Sequence, residues 1–393
     1  MNLTKKILFV AFTPYHLINS IYYATIIKKN TICENILIWQ DFADYNIDFS
    51  IIKDVFSTVY VLPSLECKNK IIKQFKKFYY IGYGFSFSVI GKYLKDIDNG
   101  VMVFCFSDAH ALTYKVIQKL KRKKKYLILI EEGLGIYENK ERKNLLRTSI
   151  INFILGIKEE KFIGESKSID AVILKHPEWV KGRKFKGCKI LQQGNIFNNC
   201  ILNSELNFIK SELLSYTNDR RKILLWLGDP IEECGASKSV ENELIYELSK
   251  FVKDTHFILV KPHPRENREF YRNIESNDIK VIDLPKFNWI PIELFVSFFE
   301  FNTIITVISS AALNIYQLKN RAQILYVYNL IENIVFDHGV IEGALKMKNV
   351  YCPTSIEEVI KLIKRENNIS EKMIIENEEQ DISYIIEKIN EKK

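Results

Sequence analysis

The stretch FILVKPHPREN, Phe257 to Asn267, decides the fold. It opens with the apolar run Phe257–Val260, and a continuous run of this kind suits a strand covered on both faces, as in a parallel sheet. The run ends abruptly in two prolines that bracket His263. Proline fixes φ and removes a backbone donor, so the imidazole is held at the strand's end with little freedom. So rigid and so polar a terminus on a buried strand aims a side chain rather than filling a loop.

Working outward from that strand, similar apolar runs recur with helical patterns between them. In the first half they are Ile7–Phe12, Asn35–Trp39, Thr58–Leu62, Val101–Phe106 and Tyr126–Ile130. In the second half they are Lys222–Leu227, His256–Val260, Ile279–Ile282, Thr303–Ile308 and Gln323–Val327. Strands alternating with helices of about 10–15 residues form βαβ units. A chain of 393 residues exceeds the usual size of one domain. The expected architecture is therefore α/β, with two doubly wound, Rossmann-like domains facing a central cleft. A less regular region, Lys158 to Ser204, is expected to hold the connection. The domains are then 1–200 and 201–369, with a charged helix at 370–393 packing back on the first.

The composition, 47% hydrophobic and 26% charged, is that of a globular protein with ample core. The net charge of +8 comes mostly from lysine in an Ile/Lys/Asn-rich chain without a recognition motif, so nucleic acid is not an expected partner. Seven scattered cysteines without C-x-x-C spacing read as reduced thiols of a cytoplasmic protein, not as a disulfide framework or a zinc site. The apolar start of MNLTKKILFVAFTPYH meets Thr13-Pro14 too soon for a signal peptide. Phe301–Leu318 is uncharged and long enough to span a membrane, yet Asn302, Thr303, Thr306, Ser309, Ser310 and Asn314 make it a strand followed by a helix.

In doubly wound folds ligands sit at the carboxyl ends of the strands. The polar residues just after the runs are therefore the candidates. They are Thr13 to His16; Glu131 and Glu132 in EEGLGIY; His263, Pro264 and Arg265; and Ser309-Ser310. Asp108 and His110 in CFSDAHA occupy a further strand end. Each has a plainer role. Paired glutamates are solvated turn residues, serines cap helices, and a histidine satisfies a loop carbonyl. A second His-Pro, His176-Pro177, shows how little the dipeptide says alone. Together they say more. A carboxylate pair on one domain, with a histidine and a phosphate-type helix start on the other, suits group transfer from a phosphate-bearing donor. Lys261 and Arg265 add positive character. Asp96-Ile97-Asp98 reads as a turn, H-E-x-x-H and the P-loop are absent, and Gly82-Tyr83-Gly84 lacks the third glycine of a dinucleotide loop. Neither a metal nor a cofactor is expected.

At this point the set resembles a known group. EEG at 131–133, KPHPRE at 261–266 and SS at 309–310 resemble the acidic, His-Pro and Ser-Ser/Thr motifs of bacterial GT-B sialyltransferases. They most resemble those of the lipooligosaccharide α2,3-sialyltransferase family, whose opening TPYHLINS at 13–20 is also similar to. The resemblance implies a GT-B fold and metal-independent, inverting transfer of sialic acid from CMP-sialic acid. The implied acceptor is a terminal sugar, galactose, of an oligosaccharide or glycolipid such as lipooligosaccharide or capsule.

By position, Glu131 is the implied general base, with Glu132 its neighbour or alternative and Asp229 a rival. His263 assists the departing CMP phosphate, and Ser309 and Ser310 bind it. Gly228, Lys261, Pro264 and Arg265 line the donor site. Glu293, in PIEL, holds the cytidine ribose or is an exposed helix residue. Thr13, His16, Asp108 and His110 are acceptor contacts or core and turn residues. The basic run Lys121–Lys125 and KNKIIKQFKKF at 68–78 are solvated faces, or a contact with anionic lipid on the inner face of the cytoplasmic membrane. A homodimer is compatible with this reading. The alternatives are a polysialyltransferase or Kdo transferase on the same scaffold, a GT-B-like nucleotide-sugar epimerase, and a non-catalytic carbohydrate-binding protein.

Overall fold

The computed structural model describes most of residues 5–64, 89–94, 100–137, 163–196, 219–296, 301–364 and 380–391, and a few residues between these ranges. The chain forms two compact units, Met1–Ile201 with Asn377–Lys393, and Leu202–Glu376.

The first unit is built on strands Lys5–Ala11 (β1), Cys33–Gln40 (β2), Thr58–Leu62 (β3), Gly100–Cys105 (β4), Tyr126–Ile130 (β5), Ala171–Leu174 (β6) and Lys189–Gln192 (β7). They lie in the order β3-β2-β1-β4-β5-β6-β7 and every pair is parallel. Helices cover both faces of such a sheet, which is why Ile7–Phe12 and Leu127–Ile130 are buried without alternation. Helix α1, Pro14–Asn30, begins where Thr13 caps it: the Thr13 hydroxyl accepts the His16 amide at 3.3 Å, and proline fills the first turn.

The C-terminal helix Gln380–Glu391 belongs to this unit and packs on α1. The Tyr23 hydroxyl donates to Asp381 at 2.6 Å, and Lys5 Nζ donates to the Ile389 carbonyl at 2.6 Å. Strands β6 and β7 fall inside the region read from the sequence as irregular, and this corrects that reading. Four-residue strands with charged neighbours carry too little periodicity to stand out.

The second unit holds strands Lys222–Leu227 (β8), His256–Lys261 (β9), Ile279–Val281 (β10), Phe301–Thr306 (β11), Gln323–Tyr326 (β12) and Val350–Tyr351 (β13). Their order is β10-β9-β8-β11-β12-β13, again parallel throughout. Three helices matter below: Ala111–Lys121 (α2) in the first unit, with Lys238–Val252 (α3) and Ala311–Leu318 (α4) in the second. Both sheets reverse their winding direction beside the first strand, between β1 and β4 and between β8 and β11. Ligand sites form at such switch points, outside the carboxyl ends of the strands.

The uncharged segment Phe301–Leu318 is β11 followed by α4. Among the described residues no helix is long and apolar enough to cross a membrane. Lys121 pairs with Asp170 at 2.8 Å. Residues 122–124 and most of 68–78 lie outside the described residues.

Candidate active site

In the first unit, the two glutamates after β5 part company. Successive side chains of an extended chain point to opposite sides. Glu131 points inward and is 3% exposed. Its Oε2 accepts the amide of Lys175 at 2.7 Å and the hydroxyl of Tyr137. Gly133, with φ 143°, turns the chain so that the helical turn Leu134–Tyr137 brings Tyr137 back onto Glu131. Glu132 points outward, with 27% of its side chain exposed, and its Oε2 lies 3.8 Å from His16 Nε2.

His16 is buried at the β1–β4 switch point. Its Nδ1 accepts the Phe12 amide at 3.3 Å and its ring stacks on Phe106 at 4.2 Å. With Nδ1 accepting, the neutral ring carries its proton on Nε2, towards Glu132. Burial pushes the imidazole down to about 3, with His110 adding to the shift. The carboxylate 3.8 Å away does not reverse this, so the pair is a neutral imidazole beside a carboxylate, not an ion pair.

The other acceptor candidates have structural partners. Asp108 is buried and accepts the amides of Gly164 at 2.8 Å and Ser166 at 2.9 Å, which fastens that segment to the end of β4. His110 packs on Phe12 at 4.0 Å, and its carbonyl accepts the Tyr114 amide at 2.8 Å, which starts α2. Thr13 spends its hydroxyl on the α1 cap.

In the second unit, β9 ends at Lys261 and runs into Pro262-His263-Pro264. The His263 carbonyl accepts the Glu266 amide at 3.0 Å, so these residues close a tight turn. His263 is half-buried and Pro264 exposed; Arg265 lies outside the described residues. A buried cluster that the sequence reading missed ties the turn down. Lys238 Nζ lies 2.5 Å from Glu266 Oε1 and 3.0 Å from the Asp229 carbonyl, and also contacts Glu241 and the Tyr271 hydroxyl. Tyr271 in turn donates to Glu266 at 2.7 Å, and Trp226 Nε1 donates to Glu241 at 2.8 Å. Burial raises Glu241 to about 7 even with Lys238 beside it. The one sequence signal was the i,i+3 pair Lys238 and Glu241, which places both on one helix face. Gly228 is required here by close approach: a Cβ would sit 2.2 Å from the Tyr271 hydroxyl.

Asp229 is buried between β8 and β11. Its Oδ2 accepts the Thr306 hydroxyl at 2.6 Å and the amides of Val307 and Ile308 at 3.0 Å each. Thr306 Oγ1 then accepts the Ser309 amide at 3.0 Å, and Ser309 Oγ accepts the Ala311 amide at 3.3 Å. Asp229 thus shapes the turn that presents Ser309 and Ser310 at the start of α4. Burial raises its carboxyl to about 6, outweighing the bonds from Thr306 and Ile308.

Glu293 is buried, not an exposed helix residue, and Asn314 of α4 donates to its Oε1 at 2.5 Å. Lys261 is also buried. Burial lowers its ammonium to about 8, Arg268 adds to the shift and Glu293 opposes it. Lys261, His263, Glu293, Ser309 and Ser310 thus gather around the ends of β9 and β11, which flank β8. Among the described residues no group of three His, Cys, Asp or Glu side chains is arranged to hold a metal ion.

Comparison with known proteins bears on both units. The model of the family described as alpha-2,8-polysialyltransferase (POLYST) matches residues 7–328, from β1 to just beyond β12. No curated protein matches the chain. The UDP-GlcNAc 2-epimerase from Methanocaldococcus jannaschii is similar in structure, with TM-score 0.59 and 13% identity over 99% of this chain and 100% of that one. The UDP-GlcNAc 2-epimerase from Neisseria meningitidis, solved with UDP-GlcNAc, gives 0.55 and 13% over 91% and 90%. The GT-B domain of a sialyltransferase from Photobacterium damselae gives 0.53 and 12% over 89% and 100%. At these identities the likeness shows the fold alone, and that fold is GT-B. The family match goes further, and it names the polysialyltransferases, an alternative in the sequence reading, rather than the lipooligosaccharide enzymes. Sialyl transfer on a GT-B scaffold makes the protein a glycosyltransferase, and the chain belongs to the alpha-2,8-polysialyltransferase family.

Proposed function

We propose that the protein transfers sialic acid from CMP-sialic acid, with inversion at the anomeric carbon, to a hydroxyl of a glycan ending in sialic acid. The observation that carries this reading is the family match, which runs from β1 through the Ser309-Ser310 turn and so contains every motif of the site. A terminal galactose is the alternative acceptor, from the resemblance to lipooligosaccharide enzymes.

Glu132 is the general base in this reading. It reaches solvent from the end of β5, whereas Glu131 spends Oε2 on Tyr137 and Lys175 and Asp229 spends Oδ2 on three donors. Glu132 takes the proton of the acceptor hydroxyl as its oxygen bonds to the anomeric carbon. The bond from that carbon to the phosphate oxygen breaks, and its electron pair leaves on CMP. His263 donates to the departing phosphate, which the hydroxyls of Ser309 and Ser310 receive. Glu293 faces the ribose. CMP leaves as a phosphate monoester with less charge to neutralise than a nucleoside diphosphate, so these donors suffice without a metal.

The test is incubation of the protein with CMP-sialic acid and α2,8-linked trisialic acid in EDTA, with CMP release and chain length followed together. Elongated product is expected. Turnover of UDP-GlcNAc without transfer would instead support an epimerase, and transfer to lactose alone would move the acceptor to galactose.

A further inference from the structure

The second His-Pro pair, His176-Pro177, takes part in no step above. It follows β6, the neighbour of β5, and so emerges at the same edge of the sheet as Glu131 and Glu132. Pro177–Trp179 forms a single helical turn, closed by the Trp179 amide donating to the His176 carbonyl at 3.0 Å. This turn lays the imidazole of His176 flat on the indole of Trp179, with ring centroids 3.8 Å apart and planes 7° apart. The carboxylate of Glu178, 62% exposed, holds His176 Nδ1 at 3.0 Å.

Two features separate this stack from ordinary core packing. The chain has four tryptophans, and Trp39, Trp226 and Trp289 are all buried. Trp179 alone is half-exposed, with the His176 side chain beside it 13% exposed. The stack is also anchored to the acidic motif. The His176 amide donates to the Tyr137 hydroxyl at 3.0 Å, that hydroxyl donates to Glu131, and the Tyr137 ring packs edge-on against Trp179 at 5.5 Å. Glu131 therefore helps set, through Tyr137, the position of this aromatic surface.

We propose that His176 and Trp179 form a stacking platform for a sugar ring of the acceptor glycan, with Glu131 and Tyr137 as its positioning residues. A pyranose offers an apolar face of C–H bonds to an aromatic plane and keeps its hydroxyls at the rim, where Glu178 supplies an acceptor. A platform fixed in advance binds without losing side-chain freedom. That the glycan is the acceptor rests on the proposed function; the binding itself does not.

Because the other tryptophans are buried, Trp179 gives a local signal. The wild-type protein, without donor, is titrated with α2,8-linked trisialic acid and separately with lactose while tryptophan emission is followed. A saturable change with at least one glycan is expected, absent in Trp179→Ala. In steady state Trp179→Ala should raise the acceptor KM about tenfold, the scale of one lost aromatic contact, and leave the KM for CMP-sialic acid within twofold. Trp179→Phe, which keeps a flat ring, should recover most of the loss. The proposal is overturned by no emission change with either glycan, by an unchanged acceptor KM in Trp179→Ala, or by equal damage to both KM values. A change of oligomeric mass in Trp179→Ala with acceptor KM unchanged would make the stack a protein contact and overturn it too. Saturable binding of trisialic acid by a protein that transfers to no acceptor would refute the proposed reaction and leave the platform standing.

Discussion

The Oδ2 atom of Asp229, at the end of β8, accepts the hydroxyl of Thr306, at the end of β11, at 2.6 Å. That bond spans the point where the second sheet reverses its winding, and through Thr306 it reaches the amide of Ser309. A carboxylate that resembles a catalytic base in sequence is thereby placed as a brace for the turn at Ser309 and Ser310.

Asp229→Asn should separate the two roles. A brace that loses part of its accepting capacity should raise the KM for CMP-sialic acid and lower stability by about 1–3 kcal/mol, the cost of a buried group left short of its partners. A base would lose kcat instead, with donor KM and melting temperature kept. Steady-state kinetics and thermal melts on one preparation decide.

Glu132→Gln should lower kcat by about 10²–10⁴ without moving the melting temperature, as expected for loss of a general base. Glu131→Gln should do the reverse, melting lower with a smaller loss of kcat, because it weakens the bonds from Tyr137 and the Lys175 amide. If Glu131→Gln is the variant that stays folded and inactive, the two assignments exchange.

His263→Ala should cost about 10²–10³ in kcat, the scale of one preorganised donor to a leaving group. Its circular dichroism should match the wild type, because the Glu266–Lys238–Tyr271 cluster ties the turn down. Turnover of His263→Ala near the wild-type rate would remove His263 from the mechanism.

His16 makes a pH-dependent contribution of predictable sign. Its folded-state value is depressed to about 3, while in the unfolded chain it titrates near the ordinary histidine value of about 6.5. Below that pH the unfolded chain binds a proton that the folded protein refuses. The stability from the neutral ring is complete above about pH 6.5 and is lost progressively as pH falls towards 3. The melting-temperature gap between wild type and His16→Gln should be widest at pH 7–8 and narrow on acidification. Asp229, raised to about 6, works in the opposite direction and destabilises as pH rises from its ordinary value, so the gap between the two proteins, not the wild-type curve, is the quantity to read. A constant gap from pH 8 to 4.5 would show that the imidazole's charge is not responsible.

The sequence by itself determined most of the strands and which polar residues stand at their ends. Runs such as Leu127–Ile130 and Phe257–Val260 can be uniformly apolar only if both faces are covered, and polar residues directly after such runs must lie at strand ends. That logic located Glu132, His263 and Ser309 without coordinates. It did not reach β6, β7 or β13, whose four, four and two residues are too short to show a period.

Only the tertiary structure decided what the individual acids touch. Glu131 and Glu132 are the same residue type in adjacent positions, and which one faces the core depends on the packing of Lys175 and Tyr137, which belong to other elements. Asp229 and Glu293 are likewise assigned by partners distant in sequence, Thr306 and Asn314. Lys238 and Glu266 meet because α3 and the turn after β9 pack over the same strand end. A charge's role follows from its desolvation and from the donors around it, and those are properties of the folded neighbourhood rather than of the residue.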